Sequence, residues 1–129
     1  IRREGKDVTI VANMLMWYKA MEAADILEKE GISCEIIDPR TLVPFDYETV
    51  LNSIAKTGKL MIVHEDHYNG GWGAPLGSYV AEHAITSLDA PIVRVAAYDT
   101  PIPFSPTLEN FVVPSVERIT EEARKLAKL

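Results

Sequence analysis

Short β-branched runs alternate along this chain with stretches of helical period. Residues 8–12 (Val-Thr-Ile-Val-Ala) form the kind of continuous apolar run that a buried strand needs. From Leu15 onward, Met16, Ala20, Ala23, Ala24 and Leu27 recur at helical spacing, and Gly31 supplies a stop. Residues 33–38, with Cys34, Ile36 and Ile37, predict a second strand. Pro39 and Pro44 bracket a turn that no helix crosses. Asp46 is a good N-cap for a helix carrying Val50, Leu51, Ile54 and Ala55, which Gly58 ends. Residues 60–63 predict a third buried strand running into His64 and Glu65, and a glycine-rich loop follows. Pro75 suits the first turn of a helix whose stripe is Leu76, Val80, Ala84 and Ile85. Residues 92–97 predict a fourth strand. The stretch from Tyr98 to Pro114 holds Pro101, Pro103 and Pro106 without a clear period and reads as a long functional loop. Ser115 then caps a last helix with Val116, Ile119, Ala123 and Leu126 on one face.

Strands joined by helices predict a layered α/β domain with parallel neighbours. Ligand-binding loops of such sheets lie at the carboxyl ends of the strands. Here those are Asn13-Met14 and the stretches 39–45, 65–73 and 98–103. A length of 129 residues suits one domain with one core. At 47% hydrophobic and 25% charged residues, apolar burial is sufficient to offset chain entropy, which argues against disorder. The net charge of −6, with no basic block, argues against a nucleic-acid binder. No apolar run reaches the roughly 18 residues of a membrane span, and no signal-peptide pattern opens the chain. A single cysteine, Cys34, rules out an internal disulfide and a multi-cysteine metal site, and fits a reducing, cytoplasmic setting. The chain opens on Ile1, and its first seven residues read like the tail of a connection. The expectation is a piece of a longer protein.

Four groups invite chemistry. His64-Glu65-Asp66-His67 is the densest titratable cluster, with two histidines three apart. Alternation at a strand end sends neighbours to opposite faces, and no third ligand is evident, so a satisfied strand-end histidine beside a solvated acidic loop is the expectation. Gly70-Gly71-Trp72-Gly73 precedes a helix, where main-chain N–H groups cradle anions. It lacks the third glycine of a dinucleotide fingerprint and the Lys-Ser/Thr of a P-loop, and Glu65 and Asp66 would repel phosphate. A turn where the main chain passes close to a neighbouring chain is the favoured use. Cys34 reads as a small core residue, and no Gly-x-Ser-x-Gly is present. Asp38 and Arg40 pair with each other or across an interface, and Trp17, Tyr18 and Trp72 serve as core or as contact anchors. Local chemistry alone describes a non-catalytic α/β module with partner-facing loops and no catalytic, cofactor-binding or metal residues.

Taken in order, several segments resemble one family. The most specific is Ile37-Asp38-Pro39-Arg40-Thr41-Leu42-Val43-Pro44-Phe45-Asp46. Val8-Thr9-Ile10-Val11-Ala12 precedes it; Lys56-Thr57-Gly58-Lys59-Leu60, Val63-His64-Glu65, Gly70-Gly71-Trp72-Gly73-Ala74, Leu88-Asp89-Ala90-Pro91, Arg94-Val95 and Asp99-Thr100-Pro101-Ile102-Pro103 follow. The chain is similar, over its whole length, to the C-terminal, transketolase-like domain of the beta subunit of thiamine-diphosphate-dependent 2-oxo acid dehydrogenases. These are the first components of the pyruvate, branched-chain 2-oxo acid and acetoin dehydrogenase complexes.

The resemblance implies a three-layer α/β/α domain with a mostly parallel five-stranded sheet, whose antiparallel edge strand lies near residues 1–4. It implies one domain over residues 1–129, the last third of a beta subunit, with thiamine diphosphate and magnesium held elsewhere in the parent enzyme. The isolated domain is then inactive. Its implied roles are assembly with an alpha subunit and a second beta subunit, and docking of the lipoyl-bearing acyltransferase core through its peripheral-subunit-binding domain. Asp89 and the terminal carboxylate at Leu129 are the implied docking contacts, an acidic match to a basic partner. Asp89 equally suits a turn before a strand. Two loops depart from the family pattern: Asn13-Met14 replaces a small turn, and Ala74-Pro75 stands for Ala-Glu. Neither the contacts there nor the substrate subclass carries over. Two alternatives remain: the C-terminal domain of a transketolase or deoxyxylulose-phosphate synthase, and a free-standing small-molecule or anion-binding module using the 70–73 loop.

Overall fold

The computed structural model describes all of residues 1–129. The apolar runs become strands β1 (Val8–Ala12), β2 (Cys34–Ile37), β3 (Leu60–His67) and β4 (Val93–Ala97). The periodic stretches become helices α1 (Leu15–Glu28), α2 (Tyr47–Thr57), α3 (Gly73–Ala84), α4 (Pro106–Val112) and α5 (Val116–Ala127). The strands lie in the order β2-β1-β3-β4, and every neighbouring pair is parallel. Ile10 of β1 sits beside Ile36 on one side and Met61 on the other.

Alternation along the strands divides the core in two. Val8, Ile10 and Ala12 pack with Met16, Ala20, Ala24, Ile119 and Ala123, so α1 and α5 cover one face. Val11, Ile37 and Ile62 pack with Val50, Ile54, Leu76 and Val80, so α2 and α3 cover the other. The caps match their sequence signals. The Asp46 carboxylate accepts from the Thr49 N–H at 3.1 Å, and the Ser115 hydroxyl accepts from the Arg118 N–H at 3.1 Å.

The three-layer α/β/α class is as expected, but the sheet has four strands rather than five. Residues 1–4 form no edge strand: a single antiparallel bridge joins Arg3 to Ile36. The reason is steric. At Gly5 the main chain crosses directly over the backbone of Cys34 and Glu35, where no Cβ fits, and it bends away before a ladder develops. Side chains hold this strap instead. Arg2 reaches Asp38 at 2.8 Å, while Arg3 reaches Asp25 at 2.6 Å and Glu28 at 2.8 Å.

Two further details differ. The stretch 98–114 is not all loop, since α4 forms within it. Pro106 follows Ser105 at the start, where a proline favours a helix. Only Val112 of its seven residues turns inward, so the stretch carries no visible period. On α2, Ala55 is exposed, while Ser53 and Thr57 are buried. Their hydroxyls lie 2.6 and 2.7 Å from that of Thr9, a polar join between strand and helix that apolar periodicity cannot reveal. Ile85, placed on the α3 stripe, falls in a short 3-10 turn (Ile85–Ser87) and is exposed.

Candidate functional site

Parallel strands give the sheet two distinct edges, and the candidate residues divide between them. At the amino edge the connections are short. Asp89 stands just before β4, with its N–H donating to the Gly58 carbonyl at 2.7 Å and its carboxylate lying over the Gly58 Cα. It is exposed, and it lines a cleft of about 350 Å³ with Lys6, Asp7, Lys59 and Ala127. Lys59 Nζ donates to the Ala127 carbonyl at 2.7 Å, which ties the last turn of α5 to this cleft. Leu129 lies two residues further on and is 72% exposed. The fold therefore brings Asp89 and the end of the chain to the same edge, although 40 residues of sequence separate them. The two lysines make the cleft mixed in charge rather than purely acidic.

At the carboxyl edge, Asp38 is nearly buried and accepts from Arg2 Nη2 at 2.8 Å and from Arg40 Nη1 at 3.2 Å. The expected Asp38–Arg40 pair is present, with Arg2 as a second cation. Trp17 stacks on Tyr18 with 3.7 Å between ring centroids, and Arg2 lies 4.5 Å over Trp17. Both aromatics line a cleft of about 550 Å³ with Met14, Arg40 and Leu42. Met14 takes φ 52°, a backbone region that costs a non-glycine residue about 1–3 kcal/mol.

His64 and His67 do not converge. His67 Nε2 lies 2.7 Å from the Thr100 carbonyl in the loop after β4. His64 is buried, with Nδ1 3.0 Å from the Asp66 carbonyl. Burial pushes its pKa below the usual imidazole value, the Asp66 carbonyl and carboxylate oppose this, and Arg94 adds to it. Its ring is collared by the glycine loop. A Cβ on Gly71 would lie 2.5 Å from His64 Cε1, and one on Gly73 would lie 2.6 Å from Nε2. The close approach that glycine permits is thus to a side chain of the same domain. Trp72 lies 5.3 Å from the imidazole, between ring centroids. Beyond it, Asn69 N–H donates to Asp99 at 2.9 Å, and Arg94 Nη1 donates to the Tyr68 carbonyl at 3.0 Å. Side chains thereby staple the loops after β3 and β4 together.

A diphosphate and its divalent metal do not fit these residues. No group of three His, Cys, Asp or Glu side chains is placed to hold a metal ion. The glycine loop is filled by His64, with Glu65 and Asp66 exposed beside it. Cys34 is buried, and burial pushes its thiol up to about 12, so it serves as an inert core residue. No helix is long and apolar enough to cross a membrane.

Sequence reasoning missed one buried group of weight. Glu35, inside β2, is 1% exposed. Burial would raise its pKa, but the Lys56 ammonium, Ser53 and the Gly5 N–H hold it below the usual carboxylate value. A charged residue inside an otherwise apolar Cys-Glu-Ile-Ile run was the available signal.

The family described as the transketolase C-terminal domain matches residues 1–119. The chain is 44% identical over 128 residues to the mitochondrial pyruvate dehydrogenase E1 component subunit beta of Dictyostelium discoideum, covering 99% of this chain and 36% of that protein. It is 46% identical over 128 residues to the beta subunit of acetoin:2,6-dichlorophenolindophenol oxidoreductase of Cupriavidus necator, covering 99% of this chain and 38% of that protein. Among solved structures, a split-gene transketolase described as an inactive beta4 tetramer matches with a TM-score of 0.84 and 32% identity, over 98% of this chain and 40% of that one. The chain spans less than two-fifths of the length of these two curated relatives.

Proposed function

The chain belongs to the transketolase C-terminal domain family, and from that premise we propose that it is the assembly and docking domain of a 2-oxo acid dehydrogenase beta subunit. The parent enzyme, on this reading, oxidatively decarboxylates a 2-oxo acid, or cleaves acetoin, and passes the acyl group to a lipoyl arm. The observation that carries the reading is the near-complete match of this chain to beta subunits of a pyruvate dehydrogenase and an acetoin oxidoreductase. Thiamine diphosphate supplies the carbanion chemistry of such a reaction, with magnesium anchoring its diphosphate. Both belong outside these residues, whose donor set does not fit them. On this reading the isolated domain is inactive. Its partners are an alpha subunit, a second beta subunit and the acyltransferase core. The buried thiol of Cys34 is consistent with a reducing, cytoplasmic setting.

Asp89 and the Leu129 carboxylate are proposed as the acyltransferase contacts. Their support is position: Asp89 lines the amino-edge cleft, and exposed Leu129 follows Ala127 of its lining by two residues; an acidic contact there suits a basic partner. Losing a desolvated charge contact there costs about 2–5 kcal/mol of binding, against little for a rim charge. Asp89→Ala in the full-length protein should weaken capture of the acyltransferase in a binding titration. Unchanged affinity would remove Asp89 from the contact.

The likeness to the split-gene transketolase favours a second reading, the C-terminal domain of a transketolase. One assay separates the two. The native protein, purified with its co-eluting chains, is given a 2-oxo acid and lipoylated acceptor, or a ketose phosphate and an aldose phosphate. Acyl-lipoyl product supports the dehydrogenase, and ketol transfer alone replaces it with the transketolase.

A further inference from the structure

Every buried side-chain nitrogen and oxygen in the molecule has a hydrogen-bond partner except one, Nε2 of His64. The arrangement around it explains how that atom is tolerated. His64 Nδ1 faces the Asp66 carbonyl, an acceptor, so Nδ1 carries the proton. Nε2 is then a bare lone pair facing Gly73, with the Cγ2 methyl of Ile62 against the same glycine. A neutral ring fits this space. A charged ring would bring a second N–H with no acceptor into a packed wall.

We propose that His64 is a protonation-gated latch: the neutral imidazole holds the 70–73 loop and Trp72 over the end of β3, and proton uptake releases them.

Burial opposes a charged ring, and the groups around it act in both directions. From β4, Arg94 opposes a positive imidazole. From α3, the first turn holds no acidic residue and presents the positive end of a twelve-residue helix. On β3, Asp66 favours the charged ring, but it is exposed to solvent. At the end of β1, the nearest polar residue is Asn13, which does not titrate. Asp99, across the staple, is occupied by Asn69. Burial, the first cause of the lowered His64 pKa, agrees with this geometry.

With the loop open, His64 is solvated and takes its proton near the ordinary value of about 6.5. With the loop closed, it takes the proton only at lower pH. Above about 6.5 both forms are neutral and the loop stays shut. Between the two values the open form alone is protonated, so the open population grows about tenfold per pH unit. Trp72 is the moving part. It lies 6.2 Å from Phe45, between ring centroids, and shares with it an apolar cleft of about 310 Å³ that also includes Leu42 and Leu76. Releasing Trp72 opens a wall of that cleft, so acidification acts on the loop after β2 as well.

The test uses amide exchange across pH, in the whole protein, of Ala74 and Leu76, whose N–H groups donate to the Gly71 and Trp72 carbonyls. The expected result is protection falling about tenfold for each pH unit below 6.5, a fall absent in His64→Asn, whose amide retains a donor for the Asp66 carbonyl. An acid response that persists in His64→Asn overturns the latch. The imidazole titration of His64 by NMR in the unmutated protein decides independently of whether that variant folds. A midpoint below 6.5 supports the proposal, and a midpoint at or above 6.5 overturns it.

Discussion

At the amino edge of the sheet the chain enters its strands through main-chain bonds. Asp7 N–H donates to the Ser33 carbonyl at 2.9 Å, Thr9 N–H to Lys59 at 2.9 Å and Asp89 N–H to Gly58 at 2.7 Å. At the carboxyl edge the loops are longer, and side chains hold them: Arg2 and Arg40 on Asp38, Asn69 on Asp99, and the His64 ring inside its glycine collar. The first edge rests mainly on main-chain bonds, with the Asp7 carboxylate accepting from the Ser33 N–H at 2.7 Å and Lys59 donating to Ala127 as side-chain ties. The other depends on particular atoms, one strained residue and one buried unpaired nitrogen. The amino edge therefore leaves the exposed Asp89 carboxylate available to a partner, whereas the carboxyl edge is where the structure is sensitive to sequence and to pH.

Substitutions can sharpen or break this contrast. The largest effect is expected for Gly73→Ala, whose methyl meets the His64 ring and Ile62 together. Both neighbours are buried, so a loss of about 3 kcal/mol is expected in urea denaturation. A loss under about 1 kcal/mol would mean that the collar is loose, and the contrast would weaken. Met14→Gly should act the other way. The side chain is 72% exposed, so little packing is lost, while the strain at φ 52° is relieved. A gain of about 1 kcal/mol in the same assay is expected. Asp89→Ala should be the smallest, within about 0.5 kcal/mol, because the bond to Gly58 comes from its main chain. A larger loss would show that the carboxylate itself braces the amino edge.

The same division governs what could be read from the sequence. All four strands, and helices α1, α2, α3 and α5, were legible because apolar spacing records which face is buried. α4 was not legible, since a seven-residue helix with one inward residue has no period to record. The supposed fifth strand failed because a close approach at Gly5 cannot be seen one residue at a time. The proposed contacts Asp89 and Leu129 came from resemblance, and only the fold shows that both reach one edge. His64 was visible as a strand-end histidine. Its orphaned nitrogen arises from three segments meeting, and no local pattern encodes that.

The strap formed by residues 1–5 has a consequence for how molecules of this protein meet one another. β2 is one of the two outer strands of the sheet, and outer strands are templates for pairing with other chains. Here the strap occupies the middle of that strand: Arg2 N–H donates to the Ile36 carbonyl, and Ile36 N–H donates to the Arg3 carbonyl. Its arginines, fixed on Asp38, Asp25 and Glu28, place charge along the same rim. The single bridge, too short to count as a strand, thus shields the β2 rim from adding a foreign strand and guards against aggregation through it.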